Sequence, residues 1–260
     1  PCIGGTACAK ALFTKNVDLA TASESVIMFS AFKQTNFNIL ASFVDSDNDL
    51  KLLALSNPRI KSIHDLIGKK VGVIQASASE FYLDALLIMN NIPSTAINKV
   101  YLPPQQLKLQ LLNRQVDAIS AWEPIGYETE MQSDTKLVNL GIPGIYQLTF
   151  NLLTNAPISA EAAEQNIRLL QALDESIAWM NTNPILARTI TAKRLNLPVE
   201  QLAWSWHDYT FRLSLGNGLL SNLQLQARWA IDSGLVSKSP PDFRRVFYSH
   251  PYQQMLAERN

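Results

Sequence analysis

Short apolar runs alternate with amphipathic stretches along most of this chain, a pattern that is typical of α/β proteins. In the first part, the pattern predicts helices at 7–13 and 26–33 and strands at 18–22, 37–44 and 50–55. Asn57-Pro58 ends the last of these strands, and we expect a crossover into a second region there. The order of helices and strands in the first part favours a parallel sheet.

The same alternation continues after this crossover. It predicts a short helix at 64–66, strands at 71–74, 100–102, 118–121 and 136–140, and helices at 79–89, 105–112 and 125–131. The stretch 146–153 follows Pro143-Gly144 and is predicted to be an extended strand that returns to the first region. Two crossings of this kind would form a hinge.

The last third of the chain is predicted to be helical, with helices at 160–181, 185–195, 199–207 and 219–233. We expect these helices to cover the first lobe. Four tryptophans lie on them and are expected to pack in the core, as aromatic residues at helical spacing usually do: Trp179, Trp204, Trp206 and Trp229.

Residues 12–24 and 111–123 match each other at an offset of 99 positions. In each stretch a helix ends in polar residues, Val-Asp opens a short apolar strand, and a glutamate follows the strand. The match predicts two similar α/β lobes, with a chance occurrence of a common α/β phrase as the alternative. Ligands of open α/β sheets bind at such strand ends.

The composition narrows the classes of function. The chain has 260 residues, of which 47% are hydrophobic and 17% charged, so it is predicted to be globular rather than disordered or fibrous. Its 22 basic residues balance its 22 acidic ones, which argues against a nucleic-acid partner. Its apolar windows fall far short of the ~20 continuous residues that cross a bilayer.

Cys2 and Cys8 are the two cysteines of the chain. They would form a disulfide in an oxidising compartment and remain free thiols in a reducing one. The three histidines lie far from them in sequence, and zinc usually takes four ligands, so we expect no metal site.

We also expect no cofactor and no catalytic residues, because no nucleophile, base and orienting group converge in the sequence.

Ser77-Ala78-Ser79-Glu80 follows a predicted strand and opens a predicted helix. Its main-chain N–H groups and two hydroxyls suit an oxyanion. The alternative is a capping box, in which Ser77 and Glu80 satisfy the same donors internally.

Glu24 and Glu123 occupy equivalent places in the two matching stretches. If both carboxylates face a ligand, they favour an amine, an amidine-like ring or hydroxyls over nitrate or a simple sulfonate, because an unpaired buried anion is costly. The alternative is that each complements the dipole of the helix that it opens.

Trp122 would stack on a flat or cationic ligand or else belong to the core. Asp45–Asp49 lacks the glycine and distal glutamate of a calcium loop and is predicted to be a solvated turn.

Several segments together resemble one branch of the periplasmic substrate-binding proteins of ABC importers, the branch for nitrate, sulfonates, taurine and thiamine-pyrimidine precursors. These segments are Val17–Glu24, Ile39–Ala41, Asp45–Leu50, Ile63–Val73, Val116–Pro124 and Tyr209–Leu215. The resemblance implies an α/β, two-lobed type II binding-protein fold with two crossover strands and a helical C-terminal third. Lobe I would comprise 1–56 and 150–260, and lobe II 57–149. Family members begin with a further strand, helix and strand, which lobe I is therefore expected to lack.

The resemblance also implies the function. Such a protein captures a small polar molecule in the cleft between its lobes and delivers it to an ABC permease, at the periplasmic or extracellular face of a bacterial membrane. The residues carried over as ligand-binding are Gly5, Thr6, Ser23, Glu24, Ser25, Ser77, Ser79, Glu80, Trp122, Glu123 and Asn151.

Two alternatives use the same architecture. One is the ligand-sensing domain of a histidine kinase or cyclase, whose partner would be a transmembrane signalling module in the same chain. The other is an enzyme similar to thiamine-pyrimidine synthase. That family uses a cysteine cluster and histidines near its cleft, which this sequence does not offer, so we expect no enzyme.

Overall fold

The computed structural model describes residues 2, 4–56 and 59–258, which form two compact units. The first unit takes the described residues of 1–45, 149–191 and 210–260, and the second those of 46–148 and 192–209. The predicted lobes differ from these units because they assign 46–56 and 192–209 to the first lobe and residue 149 to the second.

The helices are α1 (Gly4–Phe13), α2 (Glu24–Ala31), α3 (Ala78–Met89), α4 (Pro104–Leu112), α5 (Ile125–Gln132), α6 (Ala160–Thr182), α7 (Pro184–Leu195), α8 (Val199–Ser205), α9 (Asn217–Asp232) and α10 (His250–Glu258). The strands are β1 (Leu19–Ser23), β2 (Phe37–Ser46), β3 (Lys51–Leu55), β4 (Lys70–Val73), β5 (Asn98–Tyr101), β6 (Ala118–Ala121), β7 (Leu137–Asn139), β8 (Leu148–Asn155) and β9 (Tyr209–Ser214). Short 3-10 turns cover Ile63–Leu66, Ser94–Ala96, Trp206–Asp208 and Phe243–Val246.

The sheet of the first unit has the strand order β1-β8-β2-β9. The prediction of a parallel start is wrong here, because β8 lies between β1 and β2 and runs antiparallel to β1, with Ala22 opposite Asn151. The local pattern indicates where strands are but not which strands pair, since pairing depends on residues distant in sequence. This pairing places the end of β1 beside the start of the return strand β8.

The sheet of the second unit has the order β5-β4-β6-β3-β7. Strand β4 is parallel to β5 and to β6, as the alternation of helices and strands predicts. Strand β3 is antiparallel to both β6 and β7, so the sheet is mixed. Residues that follow the carboxyl ends of β4 and β6 therefore lie at one edge of this sheet.

Each unit has its own apolar core. In the first, Leu40 and Leu152 of the sheet pack with Leu170 of α6 and Met255 of α10. In the second, the strand residues Leu53, Leu55, Ile119 and Ala121 pack with Leu107, Leu111 and Val116. The sheets and their covering helices thus hold the strand ends at fixed positions within each unit.

Two elements were not predicted. Strand β9 carries apolar residues at Tyr209, Phe211 and Leu213 with polar residues between them, a period-two signal for a half-buried strand. Helix α10 buries Pro251 and Met255 against α6, and a proline at its second position is typical of a helix start.

The expectation that the last helices cover the first lobe is wrong for α8, which belongs to the second unit. Polar contacts hold it there, as described below. The packing role predicted for the tryptophans holds for Trp229, which is buried and lies edge-on to Phe29. It fails for Trp179, which is 42% exposed, and holds only in part for Trp204, which is 38% exposed but lies edge-on to Tyr127.

Cys2 and Cys8 form a disulfide that closes a short loop at the start of α1. None of the helices in the described part of the chain combines the length and the apolar character needed to cross a membrane.

Candidate functional site

Glu24 opens α2 directly after β1, and its side chain is completely buried. One carboxylate oxygen, Oε2, accepts hydrogen bonds from the main-chain N–H and the hydroxyl of Thr149, at 2.6 and 2.9 Å. The other oxygen accepts a bond of 3.2 Å from the side-chain amide of Gln226 in α9. The carboxylate therefore joins α2 to β8 and α9 within the first unit.

Burial raises the pKa of Glu24 to about 6, while the hydrogen bonds from Thr149 and Gln226 oppose this rise. The group is thus mostly ionised at neutral pH, and the protein supplies its donors. In this structure Glu24 has no surface that a ligand could contact. Its predicted role in binding remains a prediction, and the geometry shows the role of an internal anchor.

Ser25 and Asn151, also predicted to bind ligand, are buried in the same region. The Ser25 hydroxyl donates to Gln226 Oε1 at 2.6 Å. The Asn151 side-chain amide donates to the main-chain oxygen of Ala22 at 3.2 Å, and its oxygen accepts a bond of 2.5 Å from Ser42. These polar groups hold the ends of β1, β2 and β8 together.

Gly5, Thr6 and Ser23 lie nearer the surface. A Cβ on Gly5 would be 3.4 Å from the Cα of Ala22, so this glycine brings the start of α1 close to β1. Thr6 is exposed and Ser23 is half-buried. Ser23 is the N-cap of α2 without a side-chain capping bond. Among the predicted residues of the first unit, these two hydroxyls remain available to a ligand.

In the second unit, Ser77 and Glu80 cap α3. The Ser77 hydroxyl accepts a bond from the Ser79 N–H at 3.2 Å and donates to the Ile74 oxygen at 2.6 Å. The Glu80 carboxylate accepts a bond of 2.9 Å from the N–H of Ala76, not from that of Ser77 as a regular capping box would require. The capping alternative therefore describes this segment, with the bond shifted by one residue.

Ser79 and Glu80 are buried by further contacts. The Ser79 hydroxyl donates to the main-chain oxygen of Ser120 at 2.6 Å. In return, the Ser120 hydroxyl donates to the main-chain oxygen of Ser79 at 2.7 Å. Glu80 Oε1 accepts bonds from Tyr101 at 2.8 Å and from Lys99 at 3.2 Å. Both side chains tie α3 to the sheet, and their predicted contact with a ligand stays untested.

Glu123 follows β6 and caps α5, because its Oε2 accepts a bond of 3.0 Å from the N–H of Tyr127. Its Oε1 accepts a bond of 3.1 Å from the indole N–H of Trp204 in α8 and lies 3.8 Å from Lys51 Nζ. The side chain is only 4% exposed. The capping alternative therefore describes Glu123 too. Trp122, directly before it, is half-buried.

Lys51 stands in a buried strand among three acidic residues of the second unit. Its Nζ lies 3.2 Å from Asp208 and 3.8 Å from Glu123. The third acid, Asp49, accepts a hydrogen bond from the Tyr209 hydroxyl. The predicted solvated turn at Asp45–Asp49 is therefore wrong for three residues. Asp45 and Ser46 are buried at the end of β2, and Asp49 is buried with this partner.

Burial and neighbouring charges both shift the pKa of Asp49. Burial raises its pKa to about 7, and the nearby Glu123 and Asp208 raise it too, while the Tyr209 hydrogen bond and Lys51 oppose the rise. Asp49 thus exchanges its proton near neutral pH, in contact with the segment that leads out of α8.

The residues that hold these carboxylates were missed by sequence reasoning. Two of them carried a signal. Lys51 interrupts the apolar run of β3, and Gln226 lies on the face of α9 that also carries the buried Leu219, Leu223 and Ala230. A polar side chain at such a position needs a buried partner. Thr149 and Trp204 gave no comparable signal.

Gly126→Ala is expected to destabilise the second unit, because the new Cβ would lie 2.6 Å from Glu123 Oε1. Displacing this carboxylate would weaken its bonds to Tyr127 and Trp204, at a loss of about 1–3 kcal/mol in the free energy of unfolding. Gly218→Ala, which meets nothing within 4 Å in α9, is the matched control and should stabilise by about 0.4–1 kcal/mol. Urea unfolding measures both, and a loss of the same size in both variants would contradict the clash.

Asp49→Asn is expected to become more stabilising as the pH rises. Because the folded pKa is about 7 against an ordinary 3.8, the folded protein holds this proton more tightly than the unfolded chain. Stability from the group is complete below the lower value and is lost as the pH rises through the upper one. The variant keeps an acceptor for Tyr209 but does not titrate. The Tm of the variant minus that of the wild type should therefore increase from about pH 5 to about pH 8; a difference independent of pH would contradict it.

Residues 4–187 match the family described as NMT1/THI5 like. A comparison with curated proteins gives no significant match. The periplasmic aliphatic sulphonate binding protein SsuA from Escherichia coli has a similar solved structure, with a TM-score of 0.82 and 20% identity over 95% of this chain and 80% of that one.

Two further solved structures are similar. The alkanesulfonate-binding protein SsuA from Xanthomonas axonopodis pv. citri, bound to MOPS, has a TM-score of 0.77 and 17% identity over 95% of this chain and 85% of that one. The desulfurization enzyme DSZB has a TM-score of 0.71 and 12% identity over 99% and 90%. At these identities the likeness shows the fold, which is the α/β fold of periplasmic binding proteins, as predicted. Because the family match extends over most of its length, the chain belongs to the NMT1/THI5-like family.

Proposed function

We propose that this protein binds a small polar molecule and delivers it to an ABC permease at the periplasmic or extracellular face of a bacterial membrane. Its family and its similarity in fold to two sulfonate-binding proteins support this function. The disulfide between Cys2 and Cys8 is consistent with an oxidising compartment.

The way in which the two glutamates are bound bears on the charge of the ligand. The sequence favours an amine only if Glu24 and Glu123 face the ligand. In the structure, Thr149 and Gln226 bind the first carboxylate, and Trp204 and the start of α5 bind the second. This observation removes the reason to expect an amine, and the similarity to two sulfonate-binding proteins then supports the proposal that the ligand is a sulfonate or a similar oxyanion.

The groups left for such a ligand are uncharged donors. In the first unit, Thr6 and Ser23 offer hydroxyls at the starts of α1 and α2. Helix starts also favour anions, because their first N–H groups lack partners within the helix. We therefore expect the oxyanion to be held by hydrogen bonds rather than by an ion pair.

A thermal-shift panel tests the ligand class with ethanesulfonate, MOPS, nitrate, ethylamine and 4-aminopyrimidine. A true ligand at about 100 times its Kd adds about 2.7 kcal/mol to the free energy of unfolding. We expect a rise in Tm with the sulfonates and none with the two amino compounds. A rise with the amino compounds alone would contradict the proposed class.

Thr6→Val and Ser23→Ala are expected to weaken sulfonate binding by about threefold to tenfold each, the usual loss for one hydrogen bond of 0.5–1.5 kcal/mol. Neither substitution removes a capping bond, so the Tm without ligand should hardly change. The matched control is Thr14→Val, whose hydroxyl bonds only to the end of its own helix α1. Titration calorimetry measures the sulfonate affinity of all three variants. If Thr6→Val and Ser23→Ala bind as tightly as Thr14→Val, these hydroxyls have no role in binding.

An enzyme is the second candidate, because one similar structure is a desulfurization enzyme and the family name includes THI5. Against it, both cysteines are bonded to each other, and His64, His207 and His250 are exposed at separate places in the sequence. Mass spectrometry of the panel compounds after incubation separates the two functions, since a binding protein returns them unchanged.

A further inference from the structure

Helix α7 presents its large apolar side chains to solvent and buries small ones. Ala187 and Ala192 are buried, whereas Ile185, Leu186 and Ile190 are 72%, 52% and 51% exposed. A helix on the surface of a protein normally has the opposite arrangement, with its large apolar residues towards the core. The exposed side chains therefore require another explanation than the packing of this unit.

The preceding helix α6 extends the apolar surface. A groove of about 460 Å³ lies between the two helices, and its lining includes the large apolar residues Trp179, Met180 and Ile190. Trp179 is 42% exposed. We call these residues, together with Ile185 and Leu186 at the start of α7, the α6–α7 patch. It combines a concave part, the groove, with a convex part made by the side chains at the start of α7.

The charges around the patch are separated by helix. Helix α7 has no acidic residue and carries Arg188, Lys193 and Arg194. Helix α6 contributes the exposed Glu175 to the edge of the groove. In a two-fold arrangement of two copies, α6 of each would face α7 of the other, so that opposite charges meet. A bilayer with anionic headgroups would attract the basic α7 but repel Glu175, and its flat surface would leave the groove unfilled.

We propose that the α6–α7 patch binds a second copy of this chain in a two-fold symmetric dimer. The convex start of α7 fills the groove of the partner, and the partner does the same in return. This inference stands apart from the proposed ligand function, because none of the predicted ligand residues belongs to the patch.

The size of the patch indicates a weak dimer. A helix of 12 residues is about 18 Å long, and two packed helices are about 20 Å wide, so each copy offers on the order of 400 Å². That is about half of the ~800 Å² per partner of a standard interface. The Kd of the dimer should therefore lie in the micromolar range, so that the dimer dissociates on dilution.

Sedimentation equilibrium of the whole chain from about 5 to about 500 μM tests the proposal. We expect the mass to rise with concentration from 28.9 kDa towards twice that value. In the variant Ile185→Ser with Ile190→Ser, the dimer Kd should rise on the order of 100-fold, since both copies lose two buried side chains. Leu225→Ser, at a leucine 59% exposed on α9, is the matched control and should leave the dimer Kd within about twofold.

A second variant tests the charge pairing. Glu175→Lys places a cation where the basic α7 of the partner should lie, and we expect it to raise the dimer Kd about fivefold. An unchanged or tighter dimer would contradict the two-fold pairing. Circular dichroism and Tm should stay at wild-type values in every variant, since the altered side chains are exposed.

Three results would overturn the proposal. The first is a monomer at every concentration. The second is a dimer that survives Ile185→Ser with Ile190→Ser, which would place the interface elsewhere. The third is a monomeric protein that binds phosphatidylglycerol vesicles and loses that binding in the same variant, since the patch would then be a lipid-binding surface.

Discussion

A carboxylate that folding removes from water must find hydrogen-bond donors inside the protein, and this requirement organises both units. Glu24 finds them on β8 and α9, elements more than a hundred residues away in the sequence. Glu123 finds them at the start of α5 and on α8. The same two residues thus connect the end of a strand to distant parts of their own unit, and we propose that their charge serves these contacts rather than a ligand.

The two units differ in the groups that surround their buried carboxylates and in how far the pKa values of these carboxylates rise. In the first, neutral donors surround a single carboxylate, whose pKa rises only to about 6. In the second, one lysine serves Glu123 and Asp208, and Asp49 nearby has a pKa of about 7. The segment 192–209 contacts these groups through Trp204, Asp208 and Tyr209. Its attachment therefore depends on pH, whereas the contacts of Glu24 are less sensitive above neutrality.

The sequence predicts most elements well, because helices and strands follow from local periodicity. It locates β6 at 118–121 to the residue and places α4 and α6 within a residue or two. It fails on β8, which inserts beside β1, and on α8, which joins the other unit, because both depend on contacts between distant residues. The match between residues 12–24 and 111–123 placed Glu24 and Glu123 at strand ends, but it did not indicate their hydrogen-bond partners. A side chain at the end of a strand can point to solvent or inward, and no local pattern decides between these.

The central claim is that Glu24 and Glu123 serve the fold rather than the ligand. Titration calorimetry of the double variant Glu24→Gln with Glu123→Gln tests it most directly, using ethanesulfonate or MOPS, whichever gives the larger thermal shift. The account predicts a Kd within about threefold of the wild type together with a lower Tm, because two buried hydrogen-bond networks are weakened. A tenfold or greater loss of affinity in the folded variant would contradict it.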